Sequence, residues 1–167
     1  MAEETRAGET AIWFAVFTEI AIIGQLSQAL LNRHLPPPLT ADHYAVLSHL
    51  HRVRDGATPL DLARAFQVPK TTMTHRLGVL ATAGMVRLAP NPRDGRSKRV
   101  WLTEEGRALR ATAMTRLAPD LARLAGRLPP DAVSGLLAPL QQLRTVLDAD
   151  RDDDAFATGL PDAHGKR

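Results

Sequence analysis

Apolar residues recur at helical spacing along most of this chain of 167 residues. From Glu9 to about His34 they include Ile12, Ile20 and Ile23, a pattern that predicts one long helix. The apolar face of this helix is wide, so we expect it to pack against more than one neighbour, a second chain being one candidate. Three consecutive prolines then end it.

Three helical segments are predicted between residues 40 and 84. Thr40 is expected to cap the first and Thr58 the second, which is short. The third runs from Lys70 to about Ala83 and is closed by Gly84. The buried sides of the first two are predicted to carry Tyr44, Leu47, Leu50, Leu62, Ala63 and Phe66.

After the third of these helices the apolar spacing changes to that of a strand. Met85–Leu88 predicts one strand, Pro90–Ser97 a turn, and Lys98–Leu102 a returning strand with Val100 and Leu102 inward. Two more helices are expected, the first beginning at residue 103 and the second ending near residue 148. The fold class is therefore mainly α with a small β-hairpin, a winged helix-turn-helix flanked by helices.

Composition and charge narrow the partners of this fold. The chain has no cysteine, which excludes a disulfide framework, a thiol nucleophile and a cysteine-based zinc site. Residues 51–110 hold 12 basic and 5 acidic side chains, whereas residues 1–50 hold 2 and 5 and residues 111–167 hold 7 and 8. A basic middle between acidic ends favours a polyanionic partner for the middle segment.

The N-terminal region does not indicate a membrane protein. Polar residues such as Glu19 and Gln25 interrupt the apolar stretch Ala11–Leu31, and a membrane span would not normally carry them. Glu3 and Glu4 do not fit the basic start of a signal peptide. We therefore expect a cytoplasmic protein with no membrane partner.

The second and third of the middle helices, joined by a tight turn at Pro69, predict a helix-turn-helix. Met73, Leu77 and Leu80 have the spacing of a packed face. The opposite face carries the polar and cationic side chains Lys70, Thr71, Thr72, His75 and Arg76. We expect Arg76 to contact a base, because a guanidinium can pair bidentately with guanine, and the first three to hold phosphates. A solvated polar face alone explains this helix equally well.

The hairpin favours the DNA-binding alternative. Arg93, Arg96, Lys98 and Arg99 lie within seven residues around the predicted turn. Such a cluster suits a wing that contacts the DNA backbone or minor groove, and Arg93 and Arg96 are expected at the tip. Asp94 is expected to orient a nearby arginine.

These segments resemble the MarR family of bacterial regulators. The resemblance rests on Leu62–Ala63, Val68–Leu77, Ala83–Val86, Asn91–Arg96, Val100–Thr103 and Gly106. It implies a homodimer with a pseudo-palindromic double-stranded DNA site. It also implies four regions: an N-terminal dimerisation helix (9–38), the winged helix-turn-helix (39–102), C-terminal dimerisation helices (103–148) and a tail (149–167), whose acidic composition predicts disorder.

Some regulators that resemble this chain bind small aromatic or anionic effectors, and Trp13, Phe17, His43 and Arg52 are the ligand-binding candidates here. No cofactor motif, catalytic grouping or metal-ligand spacing is present in the sequence, so an enzyme is not expected. The predicted function is a homodimeric repressor released by a small molecule. The alternatives are a DNA-binding regulator without a ligand and a dimeric adaptor that binds protein.

Overall fold

Six helices and one hairpin make up residues 2–152, the part of the chain that the structure, a computed structural model, describes. Side chains are described for residues 8–149. The elements are α1 (Ala2–Asn32), α2 (Ala41–Arg52), α3 (Pro59–Ala65), α4 (Lys70–Thr82), β1 (Val86–Asn91), β2 (Asp94–Leu102), α5 (Glu104–Ala125) and α6 (Ala132–Asp152). The predicted fold class, mainly α with a β-hairpin, is confirmed. The chain divides into two compact units, one ending at Ala118 and one beginning at Pro119.

The core of the first unit lies between α2, α3, α4 and the hairpin. It consists of aliphatic side chains and one methionine, chiefly Val46, Leu47, Leu50, Leu62, Met73, Leu77, Leu80, Val100 and Leu102. The burial predicted for α4 and for β2 is therefore confirmed. Tyr44 is only half-buried, because the buried stripe of α2 follows His43, Val46, Leu47 and Leu50 and leaves Tyr44 beside it. Phe66 is also half-buried but packs against the core.

The ends of the middle helices are fixed by the predicted capping residues. Thr58 Oγ1 accepts a hydrogen bond from the backbone N–H of Asp61 at 3.1 Å, and the Asp61 carboxylate accepts one from the N–H of Thr58 at 3.2 Å. This reciprocal cap matters because α3 has only seven residues and would not be stable alone. Gly84 follows α4 with a φ of +75°, the left-handed conformation that ends many helices.

The hairpin is longer than predicted. β1 reaches Asn91 and β2 already begins at Asp94, so the predicted turn over Pro90–Ser97 is wrong at both ends. Pro90 pairs with Lys98, but Asn91 pairs with Asp94, so three residues of β2 lie in a bulge. β1 pairs with β2 alone and is an edge strand, where proline is tolerated, so Pro90 does not end it.

The second unit contains the end of α5 and all of α6. α5 continues through Pro119, where the division between the units falls. α6 continues to Asp152, so the disorder predicted for residues 149–167 is wrong for 149–152. This stretch contains no glycine or proline to end the helix. The rest of the predicted tail lies outside the described residues.

Two helices leave broad apolar faces exposed in the single chain. On α1 the exposed large apolar side chains include Ile12, Trp13, Phe14, Phe17, Ile23 and Leu26. By length and composition alone, Gly8–Asn32 is apolar enough to cross a membrane, with a mean hydropathy of 1.5. On α6 the exposed side chains include Val133, Leu136, Leu137 and Leu140. Faces of this size on a folded chain indicate surfaces that contact another molecule.

Candidate nucleic-acid interface

The packed and exposed faces of α4 separate as a recognition helix requires. Met73, Leu77 and Leu80 are at most 2% exposed and hold the helix on the core. The five polar residues predicted to face outward lie in the first two turns; Lys70, Thr71 and His75 are exposed, and Thr72 and Arg76 are half-buried. The backbone N–H groups at this helix start add partial positive charge. The exposed part of α4 therefore combines hydroxyl, imidazole and ammonium donors, which suit phosphates and base edges.

Two residues that sequence analysis missed lie on the same helix-turn-helix. Thr74 is exposed on α4, and its hydroxyl donates to the carbonyl of Lys70 at 2.8 Å. Arg64 is exposed in the last turn of α3, the helix that crosses the DNA backbone in known helix-turn-helix complexes. The signal available in the sequence was their place on the polar faces of the two helices.

Arg76, the predicted base-contacting residue, is half-buried and bonded to α2 instead of projecting freely into solvent. Its side chain is 17% exposed, and Nη2 lies 2.5 Å from Oδ2 of Asp42 on α2. The guanidinium therefore already has a carboxylate partner. A base contact by Arg76 remains a prediction, and it would require this ion pair to break or to be shared with DNA.

The tip of the hairpin presents three exposed cations. Arg93 lies in the turn, Arg96 in the bulge of β2, and Lys98 at the next outward position. Asp94 orients the backbone here, because its Oδ1 accepts a hydrogen bond from the N–H of Arg96 at 3.0 Å. Asp94 thus fixes the main chain from which Arg96 projects, whereas the sequence suggested that it orients an arginine.

A buried amide organises the same tip from inside. Asn91 is 8% exposed, and its Nδ2 donates to the hydroxyl of Ser97 at 2.8 Å. Its Oδ1 accepts from the backbone N–H of Arg93 at 3.2 Å and from Nε of Arg99 at 3.0 Å. Arg99 also donates to the carbonyl of Gly56 at 3.2 Å. Arg99, predicted to bind DNA, is therefore a half-buried link between the wing and the α2–α3 loop.

The loop between α2 and α3 anchors the base of the wing. Oδ1 of Asp55 accepts from the backbone N–H of Leu102 at 2.9 Å, and its Oδ2 accepts from Arg107 of α5 at the same distance. Gly56 has a φ of +75°, and a Cβ there would lie 2.6 Å from the ring of Trp101. Only glycine fits this approach without strain, so the wing is fixed to the lobe at several points.

Burial acts on the pKa of several titratable side chains of these helices, among them Asp61 and His43. Burial opposes ionisation of Asp61, but hydrogen bonds from Thr58 and the charges of Arg54 and Arg64 outweigh it, so the pKa of this carboxyl is lowered. Burial lowers the pKa of His43, with the charge of Arg76 acting in the same direction.

His43 is part of the cap of α2. Its Nδ1 accepts a hydrogen bond from the backbone N–H of Thr40 at 3.1 Å. The proton of the neutral ring is then on Nε2, which is buried and has no hydrogen-bond partner among the described residues. The geometry thus keeps His43 neutral and inside the lobe.

The four predicted ligand-binding residues do not form one site in the single chain. Trp13 and Phe17 contact each other on α1, with ring centroids 5.8 Å apart, and both are exposed. His43 is buried at the start of α2. Arg52 lies nine residues further along, about 13 Å at the helical rise per residue. Their role in ligand binding remains a prediction.

A different cleft runs along α4. Its volume is about 540 Å³, and it is lined by Pro38, His75, Gly78, Val79, Thr82 and Ala83. None of the four predicted ligand residues lines it. Within the described part of the chain, no three His, Asp or Glu side chains are grouped as a metal ion would require.

Known proteins share both the sequence and the fold of this lobe. Residues 38–97 match the model of the MarR family. The chain is 32% identical over 103 residues to the multiple antibiotic resistance protein MarR of Salmonella typhimurium, covering 61% of this chain and 71% of that protein. A mutant MarR from E. coli, solved in complex with operator DNA, is 30% identical with a TM-score of 0.64 and coverages of 77% and 93%.

A second structure of the E. coli protein is equally similar. The apo form of wild-type MarR has a TM-score of 0.65 at 30% identity, covering 75% of this chain and 94% of that chain. The matched residues 38–97 contain α2, α3, α4, β1 and the bulge of β2. The match therefore includes α3, α4 and the wing tip as far as Ser97, and Lys98 lies just beyond it.

Proposed function

The chain belongs to the MarR family of transcription regulators, and from this premise we propose that it is a homodimeric, sequence-specific DNA-binding repressor that a small molecule releases. The observation that carries the proposal is the combination, on one winged-helix lobe, of a polar exposed α4 with a cationic wing tip. The excess of basic residues between residues 51 and 110 supplies long-range attraction to DNA.

In this proposal the two parts of the lobe contact different features of the duplex. α4 enters the major groove, where Lys70, Thr71 and Thr72 bind phosphates and His75 reaches a base edge. The wing tip, with Arg93, Arg96 and Lys98, follows the backbone or enters the minor groove. The operator complex of a 30% identical MarR supports DNA as the partner.

Homodimerisation is supported by the exposed apolar face of α1. Phe14 is 70% exposed and Ile12 and Leu26 are each 65% exposed, which a soluble monomer would not maintain over a whole helix. A second copy covers such a face with like side chains, and the two-fold symmetry then requires a pseudo-palindromic operator. We place this dimer in the cytoplasm, where the DNA is.

The effector is proposed to be a small aromatic or anionic molecule. The candidate residues are Trp13 and Phe17, whose rings contact each other on α1, and His43 and Arg52 of α2, of which Arg52 supplies a cation. The effector need only bind better to a lobe spacing that mismatches the DNA grooves, since its differential affinity then sets the loss of DNA binding.

The test is selection of bound fragments from the source genome by the purified full-length chain, followed by titration of the recovered duplex at several salt concentrations. We expect a pseudo-palindromic site bound by a dimer, with affinity that falls steeply as salt rises. Affinity that hardly changes with salt, or recovery of no preferred sequence, would refute the proposal and favour the protein-binding adaptor. Sedimentation of the protein without detergent checks the dimer separately.

A further inference from the structure

The recognition helix is joined to α2 by one partly buried ion pair. Arg76 lies on α4, and its Nη2 contacts Oδ2 of Asp42, a residue of the first turn of α2, at 2.5 Å. The arginine side chain is 17% exposed and the aspartate 46%. The two residues are 34 positions apart in the chain, so the contact is tertiary and bridges two elements.

The environment of this pair distinguishes it from the surface pairs of the chain. Arg144 and Asp148 form a pair of similar length, 2.8 Å, but the arginine is 68% exposed and both residues lie on α6. Exposed pairs within one helix contribute little, because water screens them and they order no second element. A guanidinium that is mostly buried loses far more when its carboxylate is removed, since it is then left without a partner.

The partner of Arg76 belongs to a helix start that is itself fixed. The backbone N–H of Ala41, at the start of α2, donates to Oδ1 of Asn32 at the end of α1 at 2.6 Å. Asp42 is the next residue. Two polar contacts at adjacent residues thus connect the end of α1 to the start of α2, and the start of α2 to the middle of α4.

We infer that Arg76 is a positioning residue, whose ion pair with Asp42 fixes the angle of the recognition helix and thereby the spacing between the two half-sites. The inference rests on the proposed function, because half-site spacing exists only for a dimer on DNA. It replaces the base contact expected for Arg76 from the sequence. A guanidinium that sets the angle of α4 affects all base contacts of that helix equally, and it does not itself recognise any one base.

The test compares Arg76→Ala, Asp42→Ala and the double variant on the selected operator and on operators with one base pair inserted or deleted at the centre. We expect each single variant to weaken operator binding about tenfold, with the double variant no weaker than either single one. All three are expected to bind the altered spacings with less discrimination than the native protein. Preference for each individual base should stay unchanged. Arg123→Ala, which breaks an exposed arginine–aspartate pair within α5, is the matched control and should leave binding and spacing preference unaltered.

Some outcomes overturn the inference. If Arg76→Ala changes preference at one base position while Asp42→Ala does not, Arg76 reads that base. If the single effects add in the double variant, the two side chains act independently. Should the single variants unfold, the exchanged pair Asp42→Arg with Arg76→Asp is measured; restored folding with native spacing preference supports the inference, and restored folding without it refutes it. Native protein that binds no DNA fragment refutes the proposed function itself, whatever the variants do.

Discussion

The wing allows a quantitative test of DNA binding through Arg96. This side chain is exposed in the bulge of β2, and its backbone N–H is held by Asp94 at 3.0 Å. Among the described residues, none bonds to its guanidinium. Arg96→Ala therefore removes one cation from each wing and leaves the internal contacts of the lobe in place, so an altered affinity reports on DNA and not on folding.

The expected size follows from counterion release. Each phosphate that a protein neutralises contributes about 0.9 to the slope of log K against log salt. A dimer loses two such contacts in Arg96→Ala, so the slope should fall by about 1.8. Between about 50 and 200 mM salt, the native protein should then lose about tenfold more affinity than the variant does.

The assay is fluorescence anisotropy of a labelled operator duplex titrated at four salt concentrations. Arg123→Ala is the matched control, because it makes the same change of charge at an exposed arginine of α5, on the side of the helix opposite Met114 and Leu121. We expect the control to keep the native slope. Equal slopes for Arg96→Ala and Arg123→Ala would show that Arg96 does not contact DNA and that overall charge alone explains its contribution.

Two further predictions concern the fold that carries the interface. Burial lowers the pKa of His43 in the folded protein, so below about pH 6.5 the folded protein binds fewer protons than the unfolded chain and loses stability as the pH falls. His43→Gln keeps an acceptor for the N–H of Thr40 but does not titrate. In thermal unfolding between pH 8 and 5.5, the variant should therefore lose less stability than the native protein. Gly106→Ala should lower the free energy of unfolding, measured in urea, by about 1–3 kcal/mol, because the added Cβ would lie 2.3 Å from the carbonyl oxygen of Met85. Gly135→Ala is the control: its Cβ meets nothing within 4 Å, so this variant should not destabilise the protein.

Features that depend on neighbouring residues in the chain were predictable from the sequence. The start of α3 follows from Thr58 and Asp61, whose side chains and backbones bond to each other within four residues. The packed face of α4 follows from the spacing of Met73, Leu77 and Leu80. In both cases the information is local, since a cap and a helical period are complete within one or two turns.

The tip of the wing was predicted less well, because the side chain of Asn91 forms hydrogen bonds there in place of backbone pairing between the strands. Proline, glycine and asparagine over residues 90–97 indicated one long turn. In the structure Asn91 bonds both to Ser97 and to the backbone of Arg93, which allows the strands to continue around a bulge. A buried asparagine in a turn-like sequence cannot be distinguished from an exposed one without knowing what lies across the hairpin.

The arginines show most clearly where reasoning from sequence ends. A basic side chain on a polar face predicts attraction to DNA. The sequence does not show whether that side chain is already bonded to a residue far along the chain. Asp42 is 34 positions from Arg76, and Gly56 is 43 positions from Arg99. The structure divides the cations accordingly, since Arg76 and Arg99 hold α4 and the wing in place while Arg96 projects into solvent. Substitutions in the two groups should therefore have different effects. Removing a solvent-facing cation should lower the slope of DNA affinity against salt concentration. Removing an internally bonded cation should weaken the preference for operator spacing or lower the stability of the fold, and should leave that slope nearly unchanged.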